Sequence, residues 1–284
     1  MLRSWYAEHG RHDLAWRATR DRWLVLVSEV MLHQTRVARV ATAWPDFIGR
    51  FPTPAAMATA GPGAVIEAWG RLGYPRRARR LWESAVVITE HGWPDDLTAL
   101  PGVGRYTAGA VAAQADDADV PAVEVNIRRV VERAMGRRLT EREAEDAAET
   151  LARPLRGRER LLALMDVGAL LCRAHAPRCD ECPLRERCAS RGPRDDERRT
   201  RQPRFEGSFR QRRGHVLASL RIGPTATTEL DAEAFHSLVA DGLAEITSGT
   251  ASLPSQSEAA EARRRRVADE GVGASTASDV RPRR

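Results

Sequence analysis

The sequence predicts an all-α fold, and three observations lead to it. Apolar residues from Trp5 to about Ala189 recur at three- and four-residue spacing, the period of an amphipathic helix. Gly and Pro break that pattern repeatedly, which sets short turns between helices. No run of strand length alternates strictly between apolar and polar residues. Taken in order, WLVLVSEVMLHQ (23–34) reads as an apolar helix, followed by GAVIEAWGRLG (63–73), RRARRLWESAVVITEHG (76–92), IRRVVERAMG (127–136) and REAEDAAETLAR (142–153). RGPRDDERRTRQPR (191–204) is polar, Pro-containing and densely charged, and reads as a linker. Beyond it, RQRRGHVLASLR (210–221) and DAEAFHSLVADG (231–242) read as helices and LAEITSGTASL (243–253) as a short hairpin, so 205–255 is expected to be a small winged-helix-like module. Residues 256–284 lack the apolar side chains to pack and are expected to be disordered.

A chain of 284 residues that is 42% hydrophobic can bury a core without a covalent staple. The N-terminus MLRSWYAEHGRHD lacks the apolar region of a secretory signal, and no stretch is long and apolar enough to span a bilayer. A cytoplasmic location with reduced thiols is therefore expected. The net charge of +6 suits a polyanion such as nucleic acid, and would equally suit an anionic membrane surface or solubility. No apolar face accompanies the basic segments, so no membrane partner is expected. All 45 basic residues are arginine. With no lysine side chain, any mechanism that needs a lysine amine nucleophile is excluded.

All four cysteines fall in CRAHAPRCDECPLRERC (172–188), as Cys172, Cys179, Cys182 and Cys188 in C-x6-C-x2-C-x5-C spacing. Zinc sites are usually built from two tight pairs, and only the middle pair is tight here. Four thiolates on one compact loop suit a [4Fe-4S] cluster, with zinc as the alternative. In LPGVGRYTAGAVAA (100–113), Gly102 and Gly104 permit a tight turn between two helices, and the N–H groups that open the second helix can hold a phosphate.

These two motifs resemble the iron-sulfur loop and the helix-hairpin-helix of the endonuclease III-type DNA glycosylases. Within that superfamily the chain is most similar to the adenine DNA glycosylases of the MutY kind, which remove adenine mispaired with 8-oxoguanine. WYAEHGRHDLAWR (5–17), SEVMLHQT (28–35), RLGYPRRARRL (71–81) and MDVGALLC (165–172) carry the likeness. It implies a two-lobed helical core over 1–190, with a helix-hairpin-helix lobe (22–130) and an iron-sulfur lobe (1–21 with 131–190). It further implies a [4Fe-4S] cluster on the four cysteines, and a monomer acting on double-stranded DNA that holds a mismatched or oxidised base.

Carried over by position, Glu29 matches the general acid that protonates the adenine ring. The residues agree, because an apolar helix would desolvate this carboxylate and raise its pKa. The alternative is a buried glutamate paired with arginine, which would lose its proton. Tyr106 falls where lyase-active relatives carry their lysine, which implies a monofunctional glycosylase. Trp16, Arg17 and Asp166 match positions around the base pocket, and Gln34 and Tyr74 positions that contact or wedge into the duplex. His33 stands where the family usually has glutamine, which implies altered contacts to the opposite base.

Two features depart from the family. In PAVEVNIRRV (121–130) the pattern aspartate-x-asparagine reads Glu124, Val125, Asn126. The family's aspartate stays ionised at a helix start to stabilise positive charge on the sugar. Glutamate keeps the charge but is a poor N-cap and reaches about one methylene farther, and a misplacement of roughly 1 Å can cost on the order of a hundredfold in rate. Residues 205–255 are also too few, and too helical in pattern, for the Nudix-like domain the family often carries. Two further readings stand beside the adenine enzyme: a mismatch thymine glycosylase acting on T opposite G, and a non-catalytic protein that binds DNA lesions.

Overall fold

The computed structural model describes residues 1–197 and 204–256. Among them the chain is predominantly helical, as expected, and its contacts group it into two compact units, 1–53 with 90–197 and 54–89 with 204–256. This grouping cuts across the expected lobe of 22–130, because 54–89 falls with the C-terminal module.

The first unit contains α1 (Leu2–His9), α2 (Arg22–Leu32), α3 (Val37–Arg50), α6 (Arg105–Asp116), α7 (Val125–Met135), α8 (Glu141–Ala152) and α9 (Gly157–Asp166). Helix α2 is buried along almost its whole length, with Val25, Val27 and Met31 at zero exposure. It starts where Asp21 accepts from Trp23 N (2.8 Å) and Leu24 N (3.0 Å), a standard N-cap. Helix α6 packs along it. A second apolar cluster joins α1, α7, α8 and α9 around Tyr6, Ile127, Leu151 and Leu164. Helix α8 opens on a capping box between Thr140 and Glu143. Helix α9 runs on into a π-helical turn at Val167–Leu171, which delivers the chain to Cys172.

The second unit begins with α4 (Pro54–Trp69) and α5 (Arg76–His91), the latter ending in the first unit. The helix expected over 63–73 starts earlier, at Pro54, and is interrupted at Gly61 (φ 82°), so that 63–69 forms its second half. The C-terminal module adds α10 (Phe209–Ile222) and α11 (Ala232–Ala240) and a three-stranded antiparallel sheet of β1 (Thr225–Ala226), β2 (Glu245–Thr247) and β3 (Thr250–Ser252), in the order β1-β3-β2. The hairpin expected over 243–253 is β2–β3. The two-residue β1 is too short to show as a strand in the sequence, and helix, helix and small sheet agree with a winged unit.

Residues 191–197 correct the expectation of a solvated linker. The Arg194 side chain is 7% exposed and contacts Glu132, while Glu197 takes a bidentate pair from Arg133 at 2.6 and 2.8 Å. The cause lies in α7, where Arg133 is 1% exposed and needs a counter-charge. The expected disordered tail lies outside the described residues from 257 onward. Among the described residues no helix is long and apolar enough to cross a membrane.

Candidate active site and cysteine loop

Glu29 sits midway along α2, 3% exposed. Each of its oxygens has one partner, and both partners lie on α6: Gln114 Nε2 donates to Oε1 at 2.7 Å and Tyr106 Oη to Oε2 at 3.1 Å. Among the described residues no arginine hydrogen-bonds it. Burial pushes its pKa up, the bonds from Gln114 and Tyr106 offset part of that, the negative Glu124 adds to the rise, and Arg17 opposes it, leaving the group raised. A carboxyl so placed keeps a proton to higher pH than a solvated one, as a general acid requires. Gln114, 1% exposed, was not legible as a site residue: a lone glutamine in AVAAQADD carries no pattern.

Glu124 corrects the expectation of a poor N-cap. It caps α7 through its side chain, with Oε2 accepting from Asn126 N and Asn126 Nδ2 (both 2.8 Å) and Oε1 from Ile127 N (3.0 Å). The extra methylene lets the carboxylate fold back onto the helix start, and the Asn126 amide closes the arrangement. Burial raises its pKa against those bonds and against the charge of Arg129. The segment leading into it lies tightly on α6: a Cβ on Gly109 would stand 2.5 Å from Pro121 O. Glu29, Tyr106 and Glu124 are thereby gathered into one site, and Tyr106 is held well above the usual phenol range, first by burial and then by the charges of Glu29 and Glu124.

Asn126 links this site to the cysteine loop. Its Oδ1 accepts from Arg129 Nη2 (2.8 Å), which also donates to Gly168 O (2.8 Å), while Arg129 Nε donates to Cys172 O (2.6 Å). A Cβ on Gly168 would come within 2.8 Å of Asn126, so the π-helical turn can pass here only without a side chain.

The other expected site residues are placed as follows. Trp16 is a core residue, 3% exposed and edge-on to Trp44 at 6.3 Å. Arg17 and Asp166 form a buried ion pair, with two bonds of 2.7 and 2.8 Å, and Arg11 adds two more, from Nε at 2.7 Å and from its main-chain N–H at 2.9 Å. Burial alone would raise Asp166, but the bonds and charges of Arg17 and Arg11 outweigh it and the net shift is downward. Neither Trp16 nor Asp166 hydrogen-bonds Glu29. His33 Nε2 meets Thr107 Oγ1 at 3.0 Å, and Gln34 is exposed in a left-handed conformation (φ 55°). Gly102 (φ 79°) makes the turn before α6, and Gly104, itself exposed, opens the helix with no side-chain cap. In the second unit, Tyr74 is 40% exposed at φ 48°, with the Arg77 guanidinium over its ring at 5.5 Å.

The four cysteines are free thiols and line one cavity of about 330 Å³ including its open mouth. Arg133, Arg178 and Arg185 line it too, and Arg133 Nη1 lies 3.5 Å from Cys172 Sγ. The loop is pinned to α7 by Ala189 N to Ala134 O (3.0 Å) and Ser190 N to Arg133 O (3.1 Å). Four converging thiols among cations form a donor set that fits an anionic thiolate-bound group.

Comparison with known proteins places this geometry in context. The family model described as "HhH-GPD superfamily base excision DNA repair protein" matches residues 27–154. The adenine DNA glycosylase of Mycobacterium tuberculosis (strain ATCC 25618 / H37Rv) is 42% identical over 284 residues, covering 90% of this chain and 93% of that protein. The enzyme of the same name from Mycolicibacterium smegmatis (strain ATCC 700084 / mc(2)155) is 43% identical over 270 residues, 87% and 92% of the two chains. Among solved structures, a thermostable thymine-DNA glycosylase aligns with a TM-score of 0.61 at 26% identity, over 67% of this chain and 93% of that one.

Proposed function

We infer the function of this chain from its kinship and its site together: it belongs to the adenine DNA glycosylases of the HhH-GPD superfamily, and it is a base excision repair glycosylase that releases adenine from DNA. The substrate we propose is adenine opposite 8-oxoguanine or guanine in duplex DNA. The observation that carries the mechanism is the buried Glu29, raised in pKa and hydrogen-bonded by two neutral donors, Gln114 and Tyr106. With the base turned out of the stack, Glu29 gives its proton to the adenine ring. The N-glycosidic electron pair leaves with the base, and Glu124 stabilises the positive sugar that remains. Water then adds to the sugar, and the proton it loses is taken up by the Glu29 carboxylate left by the first step. Tyr106 in a chain without lysine gives no amine for a Schiff base, so the enzyme is monofunctional.

The exposed turn at Gly102 and Gly104 and the uncapped start of α6 would bind a backbone phosphate. Gln34 and Tyr74 would meet the duplex, Tyr74 as a wedge stiffened by Arg77. Cys172, Cys179, Cys182 and Cys188 would hold a [4Fe-4S] cluster, which when bound cross-links the loop through four thiolates. The protein would work as a cytoplasmic monomer.

Single-turnover excision tests this reading, on duplexes with A opposite 8-oxoguanine, A opposite G, or T opposite G, using protein whose absorbance shows the cluster. Adenine release abolished by Glu29→Gln is the expected result. Release of thymine alone would move the chain to the thymine enzymes. Binding without any release would make it a lesion-binding protein.

A further inference from the structure

The Glu29 carboxyl is bracketed along a single helix, with Tyr106 in the first turn of α6 and Gln114 in the last. We propose that Gln114 is a positioning residue for the acid: its amide donates to Oε1, fixes that oxygen as the carbonyl, and leaves the transferable proton on Oε2, the oxygen beside Tyr106. This inference rests on the reading of Glu29 as the general acid.

The argument is one of donor and acceptor inventory. A neutral carboxyl has one oxygen that only accepts and one that carries hydrogen. An amide NH2 cannot accept, so a hydroxyl at Oε1 would set one hydrogen against another at 2.7 Å. A tyrosine hydroxyl can turn to donate or accept, and so Tyr106 tolerates either form of Oε2. With the Gln114 amide turned NH2-first to Oε1, the two neighbours together leave one favourable arrangement, with the proton on Oε2.

Gln114 is also held where it is. It is 1% exposed, and its main-chain carbonyl accepts from the Arg158 guanidinium. Just beyond it α6 ends at Asp117, left-handed at φ 56°, whose Oδ1 accepts from Arg158 N at 3.0 Å. A side chain anchored at both the helix end and the carboxyl cannot follow the proton as it leaves. When the proton passes from Oε2 to the ring nitrogen and the glycosidic electron pair departs with the base, Glu29 becomes a carboxylate. The bond from Gln114 then becomes charge-assisted and strengthens as the barrier is crossed. Of the two bonds that favour the ionised form of Glu29, Gln114's is the larger.

The test is the pH dependence of single-turnover adenine excision by the cluster-loaded full chain with Gln114→Met, which keeps the length and loses the donor. The plateau rate is expected to fall roughly 10- to 100-fold. The alkaline limb is expected to move to higher pH, because a bond that favours the carboxylate is gone. A merely structural role would lower the rate and leave the limb in place, and that result overturns the proposal, as does a plateau within twofold of the parent. Gln114→Glu keeps the geometry and, when protonated, donates O–H to Oε1. It should recover most of the rate at acid pH and lose it at lower pH than the parent, and failure to recover at any pH also refutes the proposal. This variant decides the matter if Gln114→Met does not fold. A parent enzyme that releases no adenine would instead defeat the functional reading itself, so the two failures are distinguishable.

Discussion

Replacing Glu124 by Gln separates its two tasks, capping α7 and supplying negative charge. In the parent, one carboxylate accepts three hydrogen bonds, two from backbone N–H groups and one from Asn126 Nδ2. Glutamine has only one accepting oxygen, so its NH2 must face a donor and about one cap bond is lost. Loss of such a cap costs about 1 kcal/mol, in a range of roughly 0.5–2, which lowers a melting midpoint by about 2–4 °C for a chain of this size. Loss of the charge is a larger effect on rate. Removing one group that stabilises developing charge typically costs about 10²–10³-fold, or roughly 2.7–4 kcal/mol of barrier.

Glu124→Asp provides the control, because it keeps the charge and restores the better N-cap residue. Its midpoint should match or exceed the parent's, with a single-turnover excision rate that falls by no more than the roughly hundredfold a displacement of about 1 Å can cost. The measurements are that rate on A opposite 8-oxoguanine and a thermal melt. If Glu124→Gln lowers the midpoint as described yet excises within about threefold of the parent, Glu124 is a helix cap and nothing more, and its electrostatic role is refuted.

Tyr106→Phe removes the 3.1 Å bond to Glu29 Oε2, worth about 1 kcal/mol or roughly fivefold in rate; because that bond favours ionised Glu29, the alkaline limb of the excision profile should move up. Asp166→Asn leaves Arg11 and Arg17 facing a neutral amide, with the Arg17 side chain only 4% exposed, so the loss should approach the roughly 3–5 kcal/mol of a broken buried pair, read as a fall in the urea midpoint. Glu29→Gln should gain stability over the parent as pH rises: the folded pKa lies above the ordinary 4.5, so the parent loses stability from about that pH up to its folded pKa while the variant does not. Parallel urea titrations at several pH values that stay equally spaced across this range would contradict the burial of a charged Glu29.

Where residues act within their own helix, the sequence was readable. The run WLVLVSEVML shows that Glu29 must be desolvated whatever packs against it, and the glycines of LPGVG show a turn before α6. Function that depends on tertiary approach was not. Gln114 acquires its role only because α6 lies along α2, and no local pattern marks it. Glu124 was misjudged by residue type, since N-cap preferences describe short side chains and not a longer one that folds back with help from Asn126. Residues 191–197 looked solvated because their charges were counted without Arg133, whose burial on α7 draws Glu197 in.

The two carboxylates of the site cannot be assigned roles by type, since both are glutamates and burial raises both. Their surroundings decide. Glu124 has two backbone N–H donors, the Asn126 amide, the start of α7 and the charge of Arg129, all favouring the ionised form. Glu29 has two neutral donors in an otherwise apolar helix, and the negative Glu124 raises it further. A proton shared between them would therefore rest on Glu29, which is what the proposed roles of Glu29 as acid and Glu124 as counter-charge require. The profile that follows is bell-shaped, with its acid limb where Glu124 must ionise and its alkaline limb where Glu29 must not, and both limbs belong to the pair. Glu124→Gln should then lower the alkaline limb as well as the rate, because the charge that raises Glu29 has been removed. An alkaline limb unmoved in that variant would mean that the two groups do not share one field.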